Sequence, residues 1–164
     1  MNIKSLINAD LDLLIDYNQA MQLNPTNWDI SEYVNWKYDM NAALAFSKFF
    51  FPDFLEVDGC IILAFRYNTE SFAAWKAHFE GNIPLIEAAC NRYEVADYFF
   101  NTDIYTDDEH YHRALIAFAH VLKSAWEFGI KNLFPDRIFV FELFENQKET
   151  SITFYSQAVS GEIN

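Results

Sequence analysis

Six consecutive residues, Cys60 to Phe65, are all apolar. A strand with no polar residue on either alternation must be covered on both faces or lie centrally in a sheet. The chain has ample material for that cover: of 164 residues, 52% are hydrophobic and 18% aromatic. A chain of this length buries roughly 70% of its unfolded surface and needs no disulfide or metal to hold it. With four Gly and four Pro, it holds no collagen-like repeat and no low-complexity linker. One domain over residues 1–156 is expected, with a frayed tail at 157–164.

Around the apolar run the pattern is mostly helical. Ile7, Leu11, Leu14 and Met21 step along one helical face, and Asn24-Pro25-Thr26-Asn27 reads as a loop. Asp29 and Glu32 have capping-box spacing, so a helix starts near Ile30. Tyr33, Trp36, Met40, Leu44, Ser47 and Phe51 then read as one continuous stripe, which Pro52 ends. Helices also follow from about Glu70 (Phe72, Trp75, Phe79) and from Asn82-Ile83-Pro84, with Ile86, Ala89 and Tyr93 inward. The segment 94–101 reads as helix from the Val95/Phe99 spacing. Thr106 and Glu109 form a second capping box, opening a long helix from about Asp107 to Phe128 that Gly129 should stop. Its stripe is Tyr111, Leu115, Phe118, Leu122 and Trp126. Finally, Arg137–Phe144 alternates, Glu145–Lys148 is a polar turn and Thr150–Tyr155 returns. The expected class is α+β: helix-rich, with a small, mainly antiparallel sheet of about three or more strands ending in a C-terminal hairpin.

The charge is −13, from 24 acids against 11 bases. Such a chain is repelled by nucleic-acid phosphates and by anionic membrane surfaces. Residues 94–109 hold six acids and no base, beside Tyr98, Phe99, Phe100 and Tyr105. Acid mixed with aromatics suits a face for a basic protein, since charge steers encounter and rings anchor it. The candidate partner-binding residues are Glu94, Asp97, Asp103, Tyr105, Asp107 and Asp108. The bland alternative is that the acids cap a helix start and the rings are core. The N-terminal residues lack an apolar run of signal-peptide length, and the chain has no membrane-length segment. Cys60 and Cys90 read as small buried hydrophobes in a reducing compartment; the expected location is the cytoplasm.

No signal for a cofactor or metal is present. GxGxxG, GxxxxGK[ST] and GxSxG are all absent. His110 and His112 point to opposite sides of a helix, and Glu109-x-x-His112 is a single pair where a di-iron bundle needs two. Asp53, Glu56 and Asp58 form an acidic knot before the apolar run. They are the candidates for an alternative, aromatic-lined pocket of an enzyme or small-ligand binder; a solvated loop is the plainer reading.

Phe50-Phe51-Pro52-Asp53-Phe54-Leu55-Glu56-Val57-Asp58-Gly59-Cys60 resembles a segment of small uncharacterised bacterial proteins of about this length. Trp28-Asp29-Ile30 with Tyr33 and Trp36 resembles a stretch in immunity proteins of bacterial contact-dependent inhibition systems. That second resemblance implies a small, acidic, cytoplasmic protein that neutralises a basic nuclease toxin. The expected function is therefore an acidic protein-interaction module, with a ligand-binding protein and a structural homodimer as the other two readings.

Overall fold

In the computed structural model, which describes residues 4–7, 9–99, 108–146 and 149–157, the apolar run becomes strand β2 (Cys60–Leu63), wholly buried. Its alternation divides two cores. Ile61 and Leu63 pack with Trp126, Leu122, Ile152 and Phe154, while Cys60 and Ile62 pack with Phe72 and Ile86. The strand is thus covered on both faces, as its sequence requires. It is shorter than the apolar run: Ala64–Arg66 forms a 3-10 turn and leaves Phe65 exposed.

The expected loop before β2 is in fact strand β1 (Phe54–Val57), paired antiparallel with it in the register Val57↔Cys60 and Phe54↔Leu63. The turn is Asp58-Gly59, with φ of 48° and 81°. Two successive positive φ values give the tight turn that matches strand twist, and Asp-Gly adopts it at little strain.

Helix α4 (Thr69–His78) and helix α5 (Ile83–Cys90) follow, capped by the side chains of Asn68 and Asn82. The segment read as helix after them instead starts with a two-residue strand, β3 (Tyr93–Glu94), followed by a 3-10 turn over Val95–Tyr98. Tyr93 therefore lies on a sheet and not on the inner side of α5. Helix α6 (Asp108–Leu133) runs straight through Gly129. A helical glycine costs about 1 kcal/mol against alanine, but continuing the helix buries Ile130 against the core, which outweighs it. The hairpin β4 (Phe139–Asn146) and β5 (Glu149–Ser156) closes the fold, with Phe141 opposite Phe154 and Leu143 opposite Ile152. Strand order is β3-β5-β4 in one antiparallel sheet and β1-β2 in the other. Leu115, Ala119, Leu122, Trp126 and Ile130 of α6 are buried in the core that contains Ile152 and Phe154.

The two sheets are joined by side chains of α5. Glu87 and Asn91, one turn apart, are both fully buried. Glu87 Oε1 accepts from Ile61 N at 2.7 Å, and its Oε2 accepts from Ser156 Oγ at 2.6 Å and from Ser156 N. Asn91 Oδ1 accepts from Leu63 N at 2.9 Å, and its Nδ2 donates to Ile61 O and Phe154 O at 2.9 and 3.2 Å. The edge of β2 facing away from β1 thus finds its partners in a carboxylate and an amide rather than in another strand. Unpaired buried backbone groups are costly, so these two residues fix how the sheets meet.

Before β1 the chain is a chain of short helices: a 3-10 turn at Leu11–Leu13, α1 (Tyr17–Leu23), α2 (Ile30–Lys37) and α3 (Met40–Phe50). The face read as Ile7, Leu11, Leu14, Met21 is not the inward one; Leu13, Tyr17 and Ala20 are buried instead.

Candidate protein-interaction face

The stripe expected to run unbroken from Tyr33 to Phe51 is cut at Tyr38-Asp39. Asp39 caps α3 by accepting from Ala42 N at 2.9 Å, as Asp29 caps α2 by accepting from Ser31 N and Glu32 N. Each cap satisfies backbone donors that a single continuous helix would not expose. The cut separates two fates. Tyr33 is 2% exposed, and its hydroxyl donates to Ile15 O at 2.7 Å. Its rings are Tyr17 at 5.2 Å, Trp28 at 6.3 Å and Trp36 at 6.3 Å, an aromatic cluster of the N-terminal segment itself. Beyond it the stripe faces solvent: Trp36 is 57% exposed, Met40 73%, Leu44 60% and Phe51 56%.

Helix α3 docks through its other side. Phe49 is buried, its ring stacks on Tyr98 at 4.4 Å, and its carbonyl accepts from Trp126 Nε1 at 2.9 Å. Phe46 and Phe50 flank it on Phe118. Three aromatic rings and a buried hydrogen bond outweigh the area of Met40 and Leu44, so the latter pair is left outside. Isolated exposed apolar residues are ordinary, but Met40 and Leu44, four apart on α3, share one exposed side of that helix, with Trp36 on α2 before the break and Phe51 at the C-cap of α3 after it.

The surroundings of that face are acidic. Asp10, Asp12, Asp16, Asp29, Glu32 and Asp39 are all exposed. The two described cations of α2 and α3 are already held: Lys37 by Asp16 at 2.8 Å and Lys48 by Asp53 at 2.7 Å. Asp10 is paired with Arg113 and Asp16 with Lys37, while the remaining acids keep the segment net negative; exposed apolar side chains in an acidic segment combine anchoring area with electrostatic steering.

The residues singled out from sequence fall elsewhere. Glu94 Oε1 accepts from Thr150 N at 3.2 Å and Ala96 N at 3.5 Å, so it ties the 3-10 turn to β5. Asp97 is exposed. Asp103, Tyr105 and Asp107 lie outside the described residues, and Asp108 is the first residue of α6. In the alternative pocket, each carboxylate has a cation of its own. Asp53 binds Lys48, Glu56 binds Arg137 at 2.5 Å and Asp58 binds Lys76 at 2.6 Å. Arg137 also donates to Gly59 O at 3.1 Å, so Glu56 and Arg137 pin the β1-β2 hairpin to the start of β4. Desolvation holds the thiol of Cys60 up at about 11, and it is inert in its buried strand. Among the described residues, no three His, Cys, Asp or Glu side chains converge as a metal site, and no helix is long and apolar enough to cross a membrane.

The exposed residues are visible in the sequence as one helical period, which does not show the break at Tyr38-Asp39. The residues that do reach the core, Phe46, Phe49 and Phe50, carried the competing signal of three aromatics within five positions. Compared with known proteins, the chain matches no family model, no curated sequence and no solved structure.

Proposed function

We propose that the chain is an acidic protein-interaction module whose α2–α3 face docks a basic protein, in the manner of an immunity-type inhibitor of a basic toxin. The observation that carries this reading is the set of exposed apolar side chains Trp36, Met40, Leu44 and Phe51, left in solvent on a segment whose carboxylates are all exposed. A basic partner with an apolar centre complements both features. The six acids of residues 94–109 add to the long-range field that raises the association rate. A second copy of this chain is a poorer occupant, because two molecules of net charge −13 repel each other as they approach.

The test uses immobilised wild-type protein and a Leu44→Lys variant as baits for a native lysate of the producing cell, each washed at low and high salt. A basic polypeptide should stay on the wild type, be lost from Leu44→Lys, and associate more slowly as salt rises. Equal retention on both baits, or association indifferent to salt, would remove the reading.

A further inference from the structure

Between α1 and α2 the surface opens into a groove of about 920 Å³. Its walls include the carboxylates of Asp16 and Glu32, the amides of Asn24 and Asn35, and the indoles of Trp28 and Trp36, with no cation among them. Three features mark it out. Asp16 holds a left-handed backbone, φ 64°, which Asp and Asn adopt more readily than other residues with a Cβ. Trp28 Nε1 is the one buried polar side-chain atom among the described residues with no hydrogen-bond partner; being a donor, it calls for an acceptor and takes no part in holding a cation. Lys37 lies across the rim: its ammonium sits 4.2 Å from the centroid of the Trp36 ring and 2.8 Å from Asp16 Oδ2.

We infer that this groove is the receptor for an arginine or lysine side chain of the basic partner, and that Lys37 occupies its cation position until the partner arrives. The inference rests on the interaction reading above and deepens it. A cation held at once by a carboxylate and an indole face is stabilised by charge and by the ring quadrupole. Lys37 demonstrates that the geometry accepts one. A guanidinium is planar, stacks on an indole and pairs a carboxylate through two donors, so it competes well against an ammonium. Glu32, on the same groove wall, offers a second carboxylate to a cation that reaches further in. Trp36, which is exposed and lines the groove, then supplies apolar contact beside the charged one.

Substitutions at Lys37 and Asp16 should act with opposite sign. The probe is N-acetyl-arginine amide, followed through the indole N–H resonances of the four tryptophans. The Trp36 resonance should shift saturably, while that of Trp126, bonded to Phe49 O inside the core, stays fixed. N-acetyl-citrulline amide, the neutral isostere, should leave Trp36 unmoved. Lys37→Gln should tighten arginine binding by about threefold, because a competitor is removed; Asp16→Asn should weaken it by about three- to fivefold. Both positions are on the surface, and asparagine tolerates the left-handed backbone, so neither variant threatens folding. An equal shift with citrulline, or a Lys37→Gln protein that binds no tighter than wild type, overturns the inference. The two readings fail separately. If a basic protein is retained equally by wild type and by Asp16→Asn, the groove is wrong and the docking face stands. If arginine amide binds as described but no basic protein distinguishes wild type from Leu44→Lys, the groove stands and the docking face is wrong.

Discussion

Helices α3 and α6 have comparable apolar periodicity and opposite uses. Helix α6 buries one full stripe, Leu115 through Ile130, in the core it shares with β5. Helix α3 buries Phe49 and leaves Met40 and Leu44 in solvent. Periodicity shows that a helix has an apolar face; it does not show what covers that face. In α6 the cover is β4 and β5 of the same chain. In α3 two faces compete, and the one with more aromatic area takes the core. The difference separates a helix whose apolar stripe holds the fold from one whose apolar side chains Met40 and Leu44 stay exposed.

The comparison is broken most forcefully at Trp126, which is fully buried and hydrogen-bonded to the carbonyl of Phe49. Trp126→Ala should lose about 3–5 kcal/mol in urea unfolding, or fail to fold. A stable variant would mean that α6 is not the organising helix. Next comes Glu87→Gln. Its two oxygens accept only from donors, Ile61 N on one side and Ser156 N and Oγ on the other. A glutamine must point its NH₂ at one of those donors, so the loss should be about 2–3 kcal/mol although the shape is unchanged. A neutral result would deny the carboxylate its part in joining the sheets. Tyr33→Phe is smaller: removal of the bond to Ile15 O should cost about 1 kcal/mol and leave the aromatic cluster intact. Chemical access sharpens the same contrast. The thiol of Cys60, held up at about 11, should resist alkylation at pH 8 in the folded protein and react only after unfolding.

Much of this architecture could be read from the residues. The C-terminal hairpin followed from alternation at Phe139, Phe141 and Leu143, and the face of α6 followed from Leu115, Leu122 and Trp126. Both are regular elements long enough for the pattern to dominate. The β1 strand escaped because only four residues separate Asp53 from Asp58, and the acids around them suggest a loop; the Asp58-Gly59 dipeptide was the signal that could have found it. The outward turn of Met40 and Leu44 was not legible at all, since it depends on Trp126, 77 residues from Phe49. The groove at Trp36 was equally hidden: Asp16 at the N-cap of α1 and Lys37 of α2 are 21 residues apart. Trp28 and Trp36 line that groove, while the acids at 94–109 lie in another part of the sequence.

The central claim is that the Met40–Leu44 stripe is spare to folding and held for a partner. Urea unfolding of the Met40→Gln/Leu44→Gln double variant tests its first half most directly. Glutamine matches methionine and leucine closely in helix propensity, so burial alone is measured. The unfolding free energy should lie within about 0.5 kcal/mol of wild type, as for substitutions on an ordinary surface. A loss of about 2 kcal/mol or more would place both side chains in a packed core, and the α3 face could then no longer be a free docking surface.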